Sequence, residues 1–179
     1  MTHNISNERA LLNSFLAEAK SAQQDGLTVR GRWKFTITRH DGIEEYKELN
    51  NIVTKDGLNA IAELMTGDAT GTNSGFRYIV VGTQTAAGSL GSVQGGIGEV
   101  SRKIGATIAA SNEVAILVAT WAGNADSVTG VALASAGIAN HANSGSGIMG
   151  NVVNSVDATL QDSDFLKVQV EIQIGSHNL

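Results

Sequence analysis

Cysteine is absent from all 179 residues. That excludes a disulfide framework, a thiolate zinc site and a cysteine nucleophile. Proline is absent as well, and aromatic residues make up only 4% of the chain. Two tryptophans and two tyrosines are a thin supply for a sugar-holding cleft. No apolar run reaches the roughly 18 residues of a membrane-spanning helix, and the first residues lack the basic-then-apolar order of a secretory signal. The net charge of −5 lacks the clustered excess of Lys and Arg that sequence-independent nucleic-acid binding requires. The sequence therefore calls for neither a nucleic acid, a membrane nor a cofactor.

What is present is small and β-branched. Glycine numbers 21, and Ala, Gly, Ser, Thr and Asn fill the stretch 82–154. Such a chain packs through close backbone approach and branched side chains, not through large rings. Its Val and Ile content argues for order. The length suits one domain, or one domain with an arm. The expected division is a helical arm at 1–26 and a β domain at 27–179.

The arm is read from Ser6 or Asn7 as a cap, Glu8 in the first turn, and Leu11, Leu12, Phe15, Leu16 and Ala19 at helical spacing. From Leu27 to Thr38 the pattern changes to period two. Leu27, Val29, Trp33, Phe35 and Ile37 alternate with Thr28, Arg30, Arg32, Lys34, Thr36 and Thr38. Asp41-Gly42 then predicts a type I′ hairpin turn. The returning strand would set Glu44, Glu45 and Glu48 against Arg30, Arg32 and Lys34.

Thr54 predicts a helix cap before Leu58, Ile61, Leu64 and Met65, with Gly67 as the stop. Strands are expected over 76–81, 99–108, 114–121, 127–133, 136–141, 151–160 and 165–174, with a long uncharged loop at 82–98. The strand at 114–121 is apolar on both faces and belongs inside a sheet. Strands this numerous, without a β-α-β rhythm, predict a mainly β fold. The expected form is an antiparallel β-sandwich or jelly-roll-like barrel, carrying the N-terminal helix and one short internal helix.

A search for chemistry yields little. The four histidines include no H-x-x-x-H or H-x-H pair. Asp157, Asp162 and Asp164 are hard oxygen donors but lack calcium-loop spacing. Gly95–Val100, "GGIGEV", lacks the spacing of a phosphate loop, and no G-x-S-x-G elbow occurs. Glu99 and Arg102 predict either an exposed ion pair or a clamp on a neighbouring loop, with an interface salt bridge as the other reading.

The order of several short motifs carries more. "NNIVTKDGLNAIAELMTG" supplies Asn51, Val53, Thr54, Gly57 and Leu58. "YIVVGTQTAA" supplies Val81, Gly82, Thr83 and Thr85, and "GEVSRK" supplies Glu99, Val100 and Arg102. In this order, over about 33–174, the chain resembles a group of tailed-phage virion proteins with the pattern Asn-x-Val-Thr-x-x-Gly-Leu, Val-Gly-Thr-x-Thr, Glu-Val-x-Arg. The resemblance implies a β-rich structural module of the particle and not an enzyme. The resemblance does not fix which; a short chain without a heptad stalk places a capsid decoration (cement) protein first and a tail-fibre or baseplate-associated host-binding module second. A polysaccharide hydrolase is a distant third.

Its implied partners are the major capsid protein or another virion protein and further copies of itself, with a trimer as the candidate state. Its implied location is the virion, after synthesis in the host cytoplasm. The contact surface expected on this reading comprises Leu11, Phe15 and Leu16 of the arm, and Thr83, Thr85, Leu90, Ile97, Glu99 and Arg102 in and beside the bland loop. His141 and Ile148 of "ANHANSGSGIMG" complete it. The internal helix would plug one end of the sandwich through Leu58, Ile61 and Met65.

Overall fold

The computed structural model describes residues 28–50, 52–54, 57–60, 75–86, 96–111, 114–144, 147 and 149–175. The expected arm, with Leu11, Phe15 and Leu16, lies outside the described residues, as do Ile61, Met65, Leu90 and Ile148. The chain clusters into two units, Arg30–Gln173 and a smaller one of Met1–Val29 with Ile174–Leu179. Of the smaller unit only Thr28, Val29, Ile174 and Gly175 are described, and they are the ends of two strands.

Among the described residues, ten strands form in order. They are β1 (Thr28–Thr38), β2 (Glu44–Asn50), β3 (Ile52–Val53), β4 (Tyr78–Gly82), β5 (Glu99–Ile104), β6 (Ala106–Ser111), β7 (Val114–Ala122), β8 (Ala132–Ala139), β9 (Met149–Thr159) and β10 (Phe165–Gly175). They build two five-stranded sheets, β2-β1-β10-β7-β6 and β3-β9-β8-β4-β5. The recorded strand pairs are antiparallel. Both sheets are open, so the fold is sandwich-like and the barrel alternative falls.

Period two decides which side chains enter the core. Trp33, Phe35 and Ile37 of β1, Leu117, Ala119 and Trp121 of β7, and Leu166, Val168 and Val170 of β10 line the inner face of the first sheet. Ile79, Val81, Ile138, Val153 and Val156 meet them from the second. The tryptophans and Phe35 are the largest fully buried side chains, and Trp33 stacks on Phe35 at 6.1 Å. The indole of Trp33 also donates to Asn151 Oδ1 at 3.0 Å, tying β1 to β9 of the other sheet.

Several local expectations change. The hairpin at Asp41-Gly42 forms, but only Gly42 has positive φ, at 83°. Gly42 N donates to Arg39 O at 2.9 Å, and Arg39 N donates to Ile43 O at 2.8 Å. This is a three-residue loop closed by a left-handed glycine, not a type I′ turn, which would need positive φ at two central residues. Of the expected cross-strand charges, Lys34 lies opposite Glu48 in register and Arg32 reaches Glu48 at 3.4 Å. Glu45 lies opposite Ile37 and instead pairs with Arg39 at 2.6 Å.

The strand expected at 99–108 breaks at Gly105 into β5 and β6, which belong to different sheets. Gly105 N donates to Arg77 O at 2.7 Å, and a Cβ here would crowd Leu117 and Ile79. The expected strand at 127–133 is a turn region with one isolated bridge, Thr129 to Leu160, and β8 begins only at Ala132. β7 has neighbours on both sides, as its two apolar faces predict.

Candidate functional site

The second sheet carries buried apolar side chains on both faces. Val80, Ala139, Met149 and Val152 point away from the main core, where Ala86 and Ile97 cover them and Tyr78 packs alongside. Thr54, Gly57 and Gly82 of the virion-protein resemblance lie against this outer layer, whereas its Val81 faces the main core. Thr54, fully buried, caps the helical turn at 57–60: its Oγ1 accepts from Gly57 N at 3.0 Å and donates to Met149 O. A Cβ on Gly57 would collide with the carbonyl of Gly150, so only glycine lets the turn lie this close to β9. Ala60 is buried while Leu58 is half exposed, so Leu58 does not act as the expected plug.

The loop between β4 and β5 starts from a tight stem. Thr83 N donates to Gly98 O at 3.1 Å, and Gln84 N donates to Ile97 O at 2.9 Å. Gly82 again excludes a side chain, because a Cβ would meet the carbonyl of Ile97. Asn154 on β9 then takes the place of a neighbouring strand. Its Oδ1 accepts from Ala86 N at 2.8 Å, and its Nδ2 donates to Ala86 O at 2.9 Å. Ser135 Oγ donates to Gln84 O at 2.7 Å. The described part of the loop is thus bound to its own sheet.

Ile97 is fully buried within that layer and presents nothing to a partner. Thr83, Thr85 and His141 are exposed. Glu99 and Arg102 form a bidentate pair at 2.6 Å through Nε and Nη2, with only 7% of each side chain exposed. The expected exposed pair is therefore a buried one. Arg102 Nη1 donates to the carbonyl of His141, so the clamp reading of the pair is the one the structure bears out.

Thus Glu99, Arg102 and the His141 backbone are brought together. The β4–β5 loop and the His141 turn lie at opposite ends of the β4–β8 pair, since Gly82 pairs with Ser135 but Tyr78 pairs with Ala139. His141 Nδ1 accepts from Asn143 N at 3.1 Å, which makes it a local turn-former.

The first sheet carries a charged outer face. Glu171 accepts from Lys34 at 2.5 Å and from Arg32 at 2.6 Å, and Gln169 adds a third donor at 2.9 Å. Burial pushes the Glu171 carboxyl up. The Lys34 and Arg32 hydrogen bonds together outweigh it and hold the group below the usual carboxylate range. A carboxylate so pinned is a poor proton donor at neutral pH. Beside it lies an open depression of about 490 Å³ lined by Arg30, Arg32, Asn50, Val114, Ile116 and Glu171, together with Gly31 and Gln173.

The other conspicuous acid is Asp164, whose side chain is fully buried. It accepts from Gln161 N at 2.9 Å, from Arg39 Nη1 at 2.6 Å and from His40 N at 3.1 Å. Those hydrogen bonds, Gln161 first and Arg39 second, depress its pKa against the opposing effect of burial. Arg39 Nη1 also donates to Thr159 O at 2.8 Å, so the group staples the β1–β2 hairpin to the β9–β10 turn. Asp157 pairs with Lys47 at 2.8 Å. Asp157 and Asp164, two of the three candidate calcium donors, are thus committed to separate partners. Among the described residues no three His, Asp or Glu side chains gather as a metal site.

Sequence reasoning missed Asn154 and Asn151, whose amides read as solvent-facing until the residues packed against them are known. It also missed the exposure of Val100, Ile104 and Ile108 along their strands. No family model, no curated protein and no solved structure matches the chain significantly.

Proposed function

We propose that this chain is a structural protein of a tailed-phage particle, a capsid decoration protein that binds the assembled shell and neighbouring subunits. One observation carries the reading. The residues of the resemblance pattern are spent on construction: Thr54 caps, Gly57 and Gly82 permit backbone contact, and Glu99 with Arg102 clamps a loop stem. Together they finish the outer layer of one sheet and fix where the two small-residue loops emerge. A catalyst would instead aim such residues at a reacting group. The proposed shell contact is made by the exposed Thr83 and Thr85, the loop residues 87–95 and the turn at His141.

The test mixes labelled protein with isolated heads, isolated tails and unassembled shell protein. Binding to assembled heads alone is expected, because a cement protein stabilises what it binds by mass action. A deletion of residues 87–95, which leaves Ala86 on Asn154, should stay folded and lose head binding. Retention on tails alone would support the host-binding module instead, and full binding by the deletion would remove the loop from the contact.

A further inference from the structure

β5 and β6 are the end strands of their respective sheets and are consecutive in the chain. One ribbon, 99–111, therefore runs along an edge of both sheets and crosses between them at Gly105. An edge strand leaves alternate N–H and C=O groups without a ladder partner, and proteins blunt it with charge or brevity. The other two edges are blunted. β3 is two residues long, and β2 carries Glu44, Glu45, Lys47 and Glu48.

The ribbon is different. It exposes Val100 at 37%, Ile104 at 57% and Ile108 at 59%. Its two cations are turned onto the protein's own groups: Arg102 to Glu99, and Lys103 to Asp126 at 2.7 Å. Lys103 also donates to Thr120 O at 2.8 Å and lies over the Trp121 ring.

We infer that this ribbon pairs with the same ribbon of a second copy, antiparallel, about a two-fold axis at Ile104. Two features select a second copy. First, Val100 and Ile108 are equally spaced in sequence on either side of Ile104. An antiparallel register centred there sets Ile104 against its own counterpart, and Val100 against Ile108 in both directions. All three exposed apolar residues are then covered by one another, which is what an isologous contact requires. The same register sets Arg102 opposite Ala106 and Lys103 opposite Gly105, so no like charges face each other.

Second, the ribbon is locally neutral although the chain carries −5, so two copies meet here without desolvating an unpaired charge. The acidic β2 edge offers no complement to it. Because the axis falls beside the Gly105 crossover, β5 of one copy lies along β6 of the other, and each sheet continues into its neighbour. The register shift of β6 between Thr107 and Ala109 brings Ile108 outward at the far end of that pairing. A bulge can deflect an edge, but this one presents an apolar side chain where a protective charge would be expected.

The contact is two-fold and does not depend on the virion reading, since it is measured on the purified chain alone. Sedimentation should show a concentration-dependent monomer–dimer equilibrium, with loss of the dimer in Ile104→Lys. The absence of native cysteine permits a sharper test. Directly opposed strand residues bring their Cα atoms within about 4.5–5.5 Å, inside disulfide range. Ile104→Cys should therefore oxidise to a covalent dimer, whereas Tyr46→Cys, 60% exposed on β2, should not. Mixing Val100→Cys with Ile108→Cys should give a mixed dimer that neither forms by itself. Circular dichroism checks that each variant is folded. A wild-type chain that stays monomeric, a trimer, a ladder of higher species, or Ile104→Cys crosslinking no better than Tyr46→Cys would each overturn the inference.

Discussion

Replacing Trp33 by Phe tests how the two sheets are joined. The indole is fully buried, and its Nε1 gives Asn151 Oδ1 a 3.0 Å hydrogen bond across the core. Phenylalanine keeps a ring for Phe35 to stack on but removes the donor and part of the volume. Asn151 is 2% exposed, so water cannot readily replace the lost bond. A stranded buried acceptor costs about 1–3 kcal/mol, and the void adds about 1–2 kcal/mol. The sum, about 2–5 kcal/mol, is a large part of the roughly 5–15 kcal/mol that holds a domain together.

Urea unfolding followed through Trp121 fluorescence would read this as a midpoint lower by about 1–2.5 M, at a slope of about 2 kcal/mol per M. Asn151→Ala alone strands the indole N–H and should also be costly. The double variant strands neither group, so it should cost less than the two singles added together, by about 1–3 kcal/mol. Additivity within about 0.5 kcal/mol would refute the bond as a sheet-to-sheet tie.

Two further outcomes follow from the same geometry. Asp164 has a folded pKa below its unfolded value, so its contribution is fully present above the unfolded pKa, about 4, and is lost as pH falls through the depressed folded pKa. Thermal unfolding across pH 2–7 should show an acid limb that Asp164→Asn flattens, with the variant less stable at neutral pH; an unchanged limb would mean other carboxylates set it. Gly82→Ala drives a methyl group into the carbonyl of Ile97, where backbone must give way, and overpacking of this kind costs about 1–3 kcal/mol. Hydrogen exchange should then quicken at Thr83, Gln84 and Ala86; protection equal to wild type would show that the stem tolerates the side chain.

The sequence by itself determined the faces of the strands that alternate cleanly. Alternation along β1 and β10 assigns Trp33, Phe35, Leu166, Val168 and Val170 to the core, because side chains on a pleated strand alternate sides by geometry. The cap at Thr54 was legible for a similar reason: a hydroxyl three residues before Gly57 N satisfies a local donor without any distant partner. Signals of this kind are contained within a few residues.

What depended on the other sheet, or on a residue far along the chain, was not legible. The 99–108 segment reads as one strand, yet Gly105 divides it between two sheets because Arg77 O and the packed Leu117 side chain lie there. Ile97 and Ile104 look alike as apolar residues beside a loop. One is fully buried within its own layer and the other is 57% exposed at an edge. Periodicity fixes which face a side chain takes. Only the tertiary structure decides whether anything lies above that face or beside that strand, because burial is a property of the neighbours that long-range pairing brings in.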